Sequence, residues 1–201
     1  MNVNENDARR AFVERRTNET EVSVRLCLDG KGEGHAETGI KFLDHMLDQT
    51  IKHGYLDAEV RAAGDITVDS HHTAEDVGIT FGMAVAQALG DKTGSARYGH
   101  SVTPMDEALC LCALDFSGRP HLSFDYGFAV PKLGDLDAEM IREFFGAFSA
   151  HAGCCVHIRM LSGGNAHHVA ESMFKAFGRA LAEAVAIDSK TDGVRSTKGV
   201  L

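Results

Sequence analysis

The chain has no Cys-x-x-Cys pair, no GxxxxGK[ST] phosphate loop, no long apolar run, and too few basic residues to balance its acidic ones. Each absence removes a class of protein. The five cysteines, Cys27, Cys110, Cys112, Cys154 and Cys155, are odd in number and never fall in a CxxC. Neither a disulfide framework nor a zinc ribbon fits that pattern; most of them sit in apolar, strand-like runs, where cysteine behaves as a small buried hydrophobe. The longest uninterrupted apolar stretch, Ala108 to Leu114, is far too short to span a bilayer. The opening MNVNENDARR lacks the apolar core of a secretory signal, so a cytoplasmic location is expected. Twenty Lys and Arg against 29 Asp and Glu give a net charge of −9, which disfavours a general nucleic-acid binder, because phosphate neutralisation needs clustered cations.

What is present is an ordinary globular composition, 44% hydrophobic over 201 residues, enough for one domain or for two small halves sharing a core. Within it one pentapeptide pattern, HHxAE, occurs twice: His71-His72-Thr73-Ala74-Glu75 and His167-His168-Val169-Ala170-Glu171, set 96 positions apart. On a helix, residues four apart share a face, so His71 with Glu75 and His167 with Glu171 can each grip an ion. The adjacent His72 and His168 point roughly 100° away and offer a divergent ligand each. A single HHxxE is most simply a decorated helix start. Duplication at identical spacing turns the reading towards two linked metal sites.

Ungapped alignment of the two copies extends to Phe81 and Phe177, Gly82 and Gly178, Ala84 and Ala180, Ala88 and Ala184, so the repeated unit is a whole helix of about five turns. Gly82 and Gly178 fall in its middle, where glycine costs about 1 kcal/mol against alanine, and a close neighbour is expected there. Upstream of the first copy the pattern predicts strands at Ala11–Arg16 and Glu21–Leu28, a turn at Gly30–Gly34, a short run His35–Ile40, a helix Phe42–His53 and a strand Tyr55–Ala62. Upstream of the second it predicts strands at Arg97–Thr103, Glu107–Phe116 and Pro120–Tyr126, a helix Leu136–His151 and a strand Cys154–Leu161. The expected fold is α+β, an internally duplicated pseudo-dimer of halves 1–92 and 93–201, with the two long helices packed together on sheet layers in one cooperative unit.

His45, 26 residues before His71, and Glu143, 24 residues before His167, occupy equivalent places on the shorter helices and add a seventh and an eighth candidate ligand. Imidazole and carboxylate without thiolate suit Mn²⁺, Fe²⁺ or Co²⁺ with open positions rather than a closed structural zinc site. A basic set, Arg97, Arg119, Lys175 and Lys198, is suited to holding a phosphate, although for any one of them alone solvated surface charge is the simpler reading.

The segments FLDHMLDQ, DSHHTAEDVGI, ALGDKTG followed by RYGH, PMDEAL, DFSGRP, NAHHVAE with FKAFGRAL, and STKGVL closely resemble the imidazoleglycerol-phosphate dehydratase family, from about Arg9 to Leu201. The resemblance implies dehydration of D-erythro-imidazole-glycerol phosphate to imidazole-acetol phosphate in histidine biosynthesis. It also implies two Mn²⁺ per active site and a homo-oligomeric shell of 24 subunits with active sites at subunit contacts. Carried over by motif, the metal ligands are His45, His71, His72, Glu75, His167, His168 and Glu171. The phosphate grip is Gln49, Arg97, Arg119, Lys175, Ser196 and Lys198, and Glu19 lies against the substrate. Where many members carry histidine before the Phe-Phe pair, this chain has Glu143, a residue type that also coordinates Mn²⁺.

No carbonyl acidifies the proton removed in such a reaction, so electrons must enter the imidazole ring. Two Mn²⁺ on its nitrogens would favour an imidazolate and a diazafulvene-like path. Glu171 or Glu19 would then transfer the protons. A dinuclear phosphoesterase and a metal-organised assembly without catalysis are the alternatives. The first usually needs more bridging aspartate than this His-rich set contains.

Overall fold

The computed structural model describes residues 9–201; Met1–Ala8, the start of the expected first half and most of the opening segment, lie outside the described residues. The first half forms β1 (Arg10–Arg16), β2 (Thr20–Cys27), β3 (Gly34–Glu37), α1 (Lys41–His53), β4 (Asp57–Gly64) and α2 (His71–Leu89). The second forms β5 (Tyr98–Met105), β6 (Ala108–Asp115), β7 (His121–Asp125), β8 (Lys132–Leu133), β9 (Leu136–Asp137), α3 (Met140–Ala152), β10 (Cys155–Ser162) and α4 (Ala166–Val185). One sheet has the order β1-β2-β4-β3 and the other β5-β6-β10-β7, with β3 parallel to β4, β7 parallel to β10, and every other pairing in these two sheets antiparallel. The same topology twice is the duplicated α+β fold that the repeat implies. Among the described residues, no helix is long and apolar enough to cross a membrane.

Alternation writes each strand's two faces. β5 and β6 bury every second residue, Gly99, Ser101 and Thr103 on one and Ala108, Cys110, Cys112 and Leu114 on the other, against α4. In the first sheet β1, β2 and β4 turn Ala11, Val13, Val22, Val24, Ala58 and Val60 towards α2. The helices lie between the sheets, so the layers run sheet, helix pair, helix pair, sheet.

The expectation that the two long helices pack on one another is corrected. Among the helices, α2 packs along α3 and α4 along α1, so each long helix takes the short helix of the other half. The mid-helix glycines mark these crossings. A β-carbon at Gly82 would sit 2.7 Å from the Phe148 carbonyl oxygen, and one at Gly178 would sit 2.6 Å from that of Thr50. Backbones can approach so closely only where the side chain is absent. Phenylalanine fills the space between the pairs: Phe81, Phe144, Phe145, Phe148, Phe174 and Phe177 are fully buried, and Phe148 and Phe177 meet edge to face at 4.9 Å.

The helix predicted over Leu136–His151 starts later: Leu136–Asp137 pair with Lys132–Leu133 as a two-stranded hairpin, and α3 begins only at Met140. The first half has no strands between β3 and α1.

Candidate metal centre

The interlocked packing brings α1 alongside α4 and places ligands from the two halves together. His167 Nε2 lies 3.1 Å and His45 Nε2 3.7 Å from Glu171 Oε2, and the two imidazole centroids are 5.4 Å apart. The i,i+4 spacing predicted the first contact; the second is made only by the fold. Phe42, one turn ahead of His45, sets its ring edge-on to His167 at 5.3 Å. Glu171 is buried, and burial alone would raise its pKa, but the Lys175 ammonium, 2.6 Å from Oε1, and the nearby His45 hold it below the usual value. Ligand atoms of His45, His167 and Glu171 all lie within 4.8 Å of one another.

A second trio with the same spacing comprises Asp106, Glu107 and His168. His168 Nδ1 lies 2.9 Å from Glu107 Oε2, and Nε2 lies 3.8 Å from Asp106 Oδ2. The hydrogen bond from His168, helped by the Asn165 amide, holds the Glu107 carboxyl down at about 2, and the same hydrogen bond raises the His168 pKa. At the start of α2 the arrangement recurs in looser form. His72 Nδ1 is 3.1 Å from both Asp65 oxygens and 3.8 Å from Glu19 Oε2, and the Asp65 hydrogen bond raises its pKa. His71 Nε2 stands 3.9 Å from Glu75 Oε2. In each half, therefore, the second histidine of the pair meets a carboxylate from the tip of its own β-hairpin: Glu19 between β1 and β2, Glu107 between β5 and β6.

Asp65, Asp106 and Glu107 were not anticipated. Glu19 precedes His72 by 53 residues and Glu107 precedes His168 by 61, so an ungapped alignment of the halves at the HHxAE offset cannot superpose them. The hairpin β8–β9 in the second half accounts for part of the extra length. A gapped comparison anchored on the two tight strand-to-strand turns carries the signal.

Glu143 is half-buried on α3 with Oε1 3.4 Å from Arg142, and it belongs to neither trio. His71 and Glu75, by equivalence its expected companions, likewise stand outside the gathered trios.

The phosphate candidates fall into two groups. Gln49, one turn beyond His45 on α1, and Lys175, anchored on Glu171, flank the first trio. Arg97, Arg119, Ser196 and Lys198 instead line a cavity of about 840 Å³, together with Ser117, Tyr98 and Arg195. Arg97 chelates Asp115 through Nε and Nη2 at 2.7 and 3.2 Å and donates through Nη1 to the Arg195 carbonyl. Ala96, next to Arg97, is hydrogen-bonded to Ala186 at the C-cap of α4, so the cavity sits by the C-terminal end of that helix, away from Lys175 and from the trio near its start.

The twin topology and the paired histidine–carboxylate corners define a duplicated α+β enzyme with polar chemistry concentrated at helix N-termini. The chain belongs to the imidazoleglycerol-phosphate dehydratase family, whose sequence pattern matches residues 38–181. It is 53% identical over 193 residues to imidazoleglycerol-phosphate dehydratase of Desulforamulus reducens, covering 96% of this chain and 98% of that one. To the enzyme of Ralstonia pickettii it is 54% identical over 195 residues, covering 96% and 100%. The crystal structure of the dehydratase from Staphylococcus aureus superposes with a TM-score of 0.78 at 36% identity, covering 89% of this chain and all of that one. That from Pyrococcus furiosus, solved in complex with (S)-C348, gives 0.82 at 34% identity, covering 94% and 100%.

Proposed function

We propose that the chain dehydrates D-erythro-imidazole-glycerol phosphate to imidazole-acetol phosphate for histidine biosynthesis, with two Mn²⁺ ions at each active site. The observation that carries this is the trio His45, His167 and Glu171, drawn from both halves into one corner. Its donor chemistry fits the metal: two imidazoles and a carboxylate, no thiolate, with ligand atoms close enough to share an ion. His45, His167 and Glu171 would hold one ion; His71, Glu75, His72 and His168 supply donors for the other. When bound, the ions supply Lewis acidity to the nitrogens of the substrate's imidazole.

The chain's own groups do the rest. Dehydration breaks the C2–H and C3–OH bonds, releases water and leaves an enol that tautomerises to the ketone. Glu19, a half-exposed carboxylate beside His72, would take the C2 proton, while Glu171 is committed to its histidines and to Lys175. The cationic cavity of Arg97, Arg119, Ser196 and Lys198 orients the phosphate.

The cavity's place by the C-terminal end of α4, with the trio and Lys175 towards its N-terminal end, supports a site completed by a neighbouring copy of the chain, as in the homo-oligomer of 24 subunits that the family resemblance implies. Incubation with imidazoleglycerol phosphate and Mn²⁺ should yield imidazole-acetol phosphate. Glu19→Gln should keep its metal while turnover falls by roughly 10²–10⁴. Release of inorganic phosphate without the ketone would instead mark a phosphoesterase, and no product at any metal loading would refute catalysis.

A further inference from the structure

The β8–β9 hairpin, which has no counterpart in the first half, reaches across to that half and touches the N-termini of both of its helices. Asp135, at its turn, accepts hydrogen bonds from the Lys41 and Phe42 amides at 2.7 and 2.9 Å through separate carboxylate oxygens. These are two of the four amides that the first turn of a helix leaves without partners, and Ile40, at the N-cap, offers them no side chain. The next strand, β9, touches the residue that opens α2: the Ser70 hydroxyl donates to Asp137 at 2.9 Å, and the Asp137 amide lies 3.2 Å from that hydroxyl oxygen. Helices α2 and α4 hold their first amides locally, His71 on Asp69 at 2.8 Å and His167 on Asn165, so of the three only α1 takes its cap from the hairpin.

The clasp reaches the trio within two contacts. Phe42, whose amide Asp135 holds, sets its ring against the His167 imidazole, and His45 follows one turn later on the same helix. Gly134 closes the back of this arrangement, where an added β-carbon would meet the Phe42 ring at 3.5 Å. We propose that Asp135 is a positioning residue for the metal centre, holding the first turn of α1 so that Phe42 orients His167 and His45 faces Glu171. An insertion in one half thereby sets the ligand geometry of a corner built from both. The proposal rests on the metal reading of the trio given above.

The test compares Asp135→Ala, Asp135→Asn and, as a control, Asp57→Ala in the full chain. Asp57, at the start of β4, likewise accepts two backbone amides, those of Lys31 and Glu33, but the loop it holds packs at the far end of α1, against Ile51 and Lys52. Backbone hydrogen exchange, read by mass spectrometry on the segment spanning residues 38–46, reports the clasp. Mn²⁺ titration well below the melting temperature reports the ligand geometry. Asp135→Ala should exchange faster in that segment and bind Mn²⁺ about 10- to 100-fold more weakly, the usual consequence of removing a support behind a ligand. Asp135→Asn, which keeps one acceptor, should fall between it and the native chain. Asp57→Ala should lose thermal stability at unchanged affinity. Faster exchange in Asp135→Ala with affinity within twofold of native would overturn the positioning role. If His167→Ala also left the affinity unchanged, the metal assignment of the trio would be what fails.

Discussion

Replacing Gly178 by alanine tests the helix crossing on which the trio depends. The new β-carbon would lie 2.6 Å from the Thr50 carbonyl oxygen and 3.1 Å from both Thr50 Cα and Gly54 N. All three are backbone atoms, so no side chain can swing aside. Restoring an ordinary contact of 3.4 Å requires α1 and α4 to separate by about 0.8 Å, which already forfeits a sizeable part of the dispersion well along the crossing. Overpacking of this kind costs typically 1–3 kcal/mol, and contact with rigid backbone puts it near the upper end. Alanine's better helix propensity returns about 1 kcal/mol. The net expectation is a loss of about 2 kcal/mol, or roughly 4–8 °C in melting temperature for a chain of this length. Urea and thermal unfolding of the metal-free protein should be compared with Gly82→Ala, which strains the α2–α3 crossing in the same way. Both variants should be destabilised, and Gly178→Ala should also weaken Mn²⁺ binding at the trio, because that crossing carries His45 past Glu171. A melting temperature equal to or above the native value would refute the close approach, since propensity would then be the only effect left.

Two further expectations concern groups away from the trio. Arg119, exposed in the cationic cavity, should on replacement by alanine raise KM about tenfold or more while kcat changes less, consistent with losing one charge-assisted contact of about 1.5–3 kcal/mol; a fall in kcat at constant KM in steady-state assays would remove it from phosphate binding. Asp29 carries a carboxyl that burial alone would raise but that hydrogen bonds from Arg9 lower beneath 3.8. Its folded value being the depressed one, this pair contributes stability above about pH 4 and loses it as the pH falls through that lower value. Asp29→Asn should therefore flatten the acid limb of a stability–pH curve, and an unchanged limb would show the pair to be without thermodynamic effect.

How much of this was legible beforehand follows from the distances along the chain over which each feature is encoded. HHxAE is local, so helical periodicity gave α2 and α4 their positions, and the i,i+4 rule gave the His167–Glu171 contact. Gly82 and Gly178 announced close approach but not to what, because a missing side chain does not name its neighbour. The crossed pairing, α2 with α3 and α4 with α1, therefore escaped periodicity altogether. Asp65, Asp106 and Glu107 sit in turns without regular spacing to the histidines they touch. Leu136–Glu139 has the composition of a helix start, yet Gly134, in the left-handed region at φ 61°, closes a hairpin there that propensity alone does not reveal. Glu143, placed by analogy with His45, lies beside Arg142 instead of in a gathered trio.

The exchange of short helices between halves bears on how the chain can be divided. A cut at the joint near Asp91–Ser95 would separate the sequence cleanly yet leave each piece with a long helix whose companion is on the other piece. The two fragments are complements, in the way a lock and its bolt are, and neither is a smaller edition of the whole. Expressed apart, each would expose the phenylalanine face or the glycine groove that the other is shaped to cover. Expressed together, they have what they need to reassemble without a peptide bond between them.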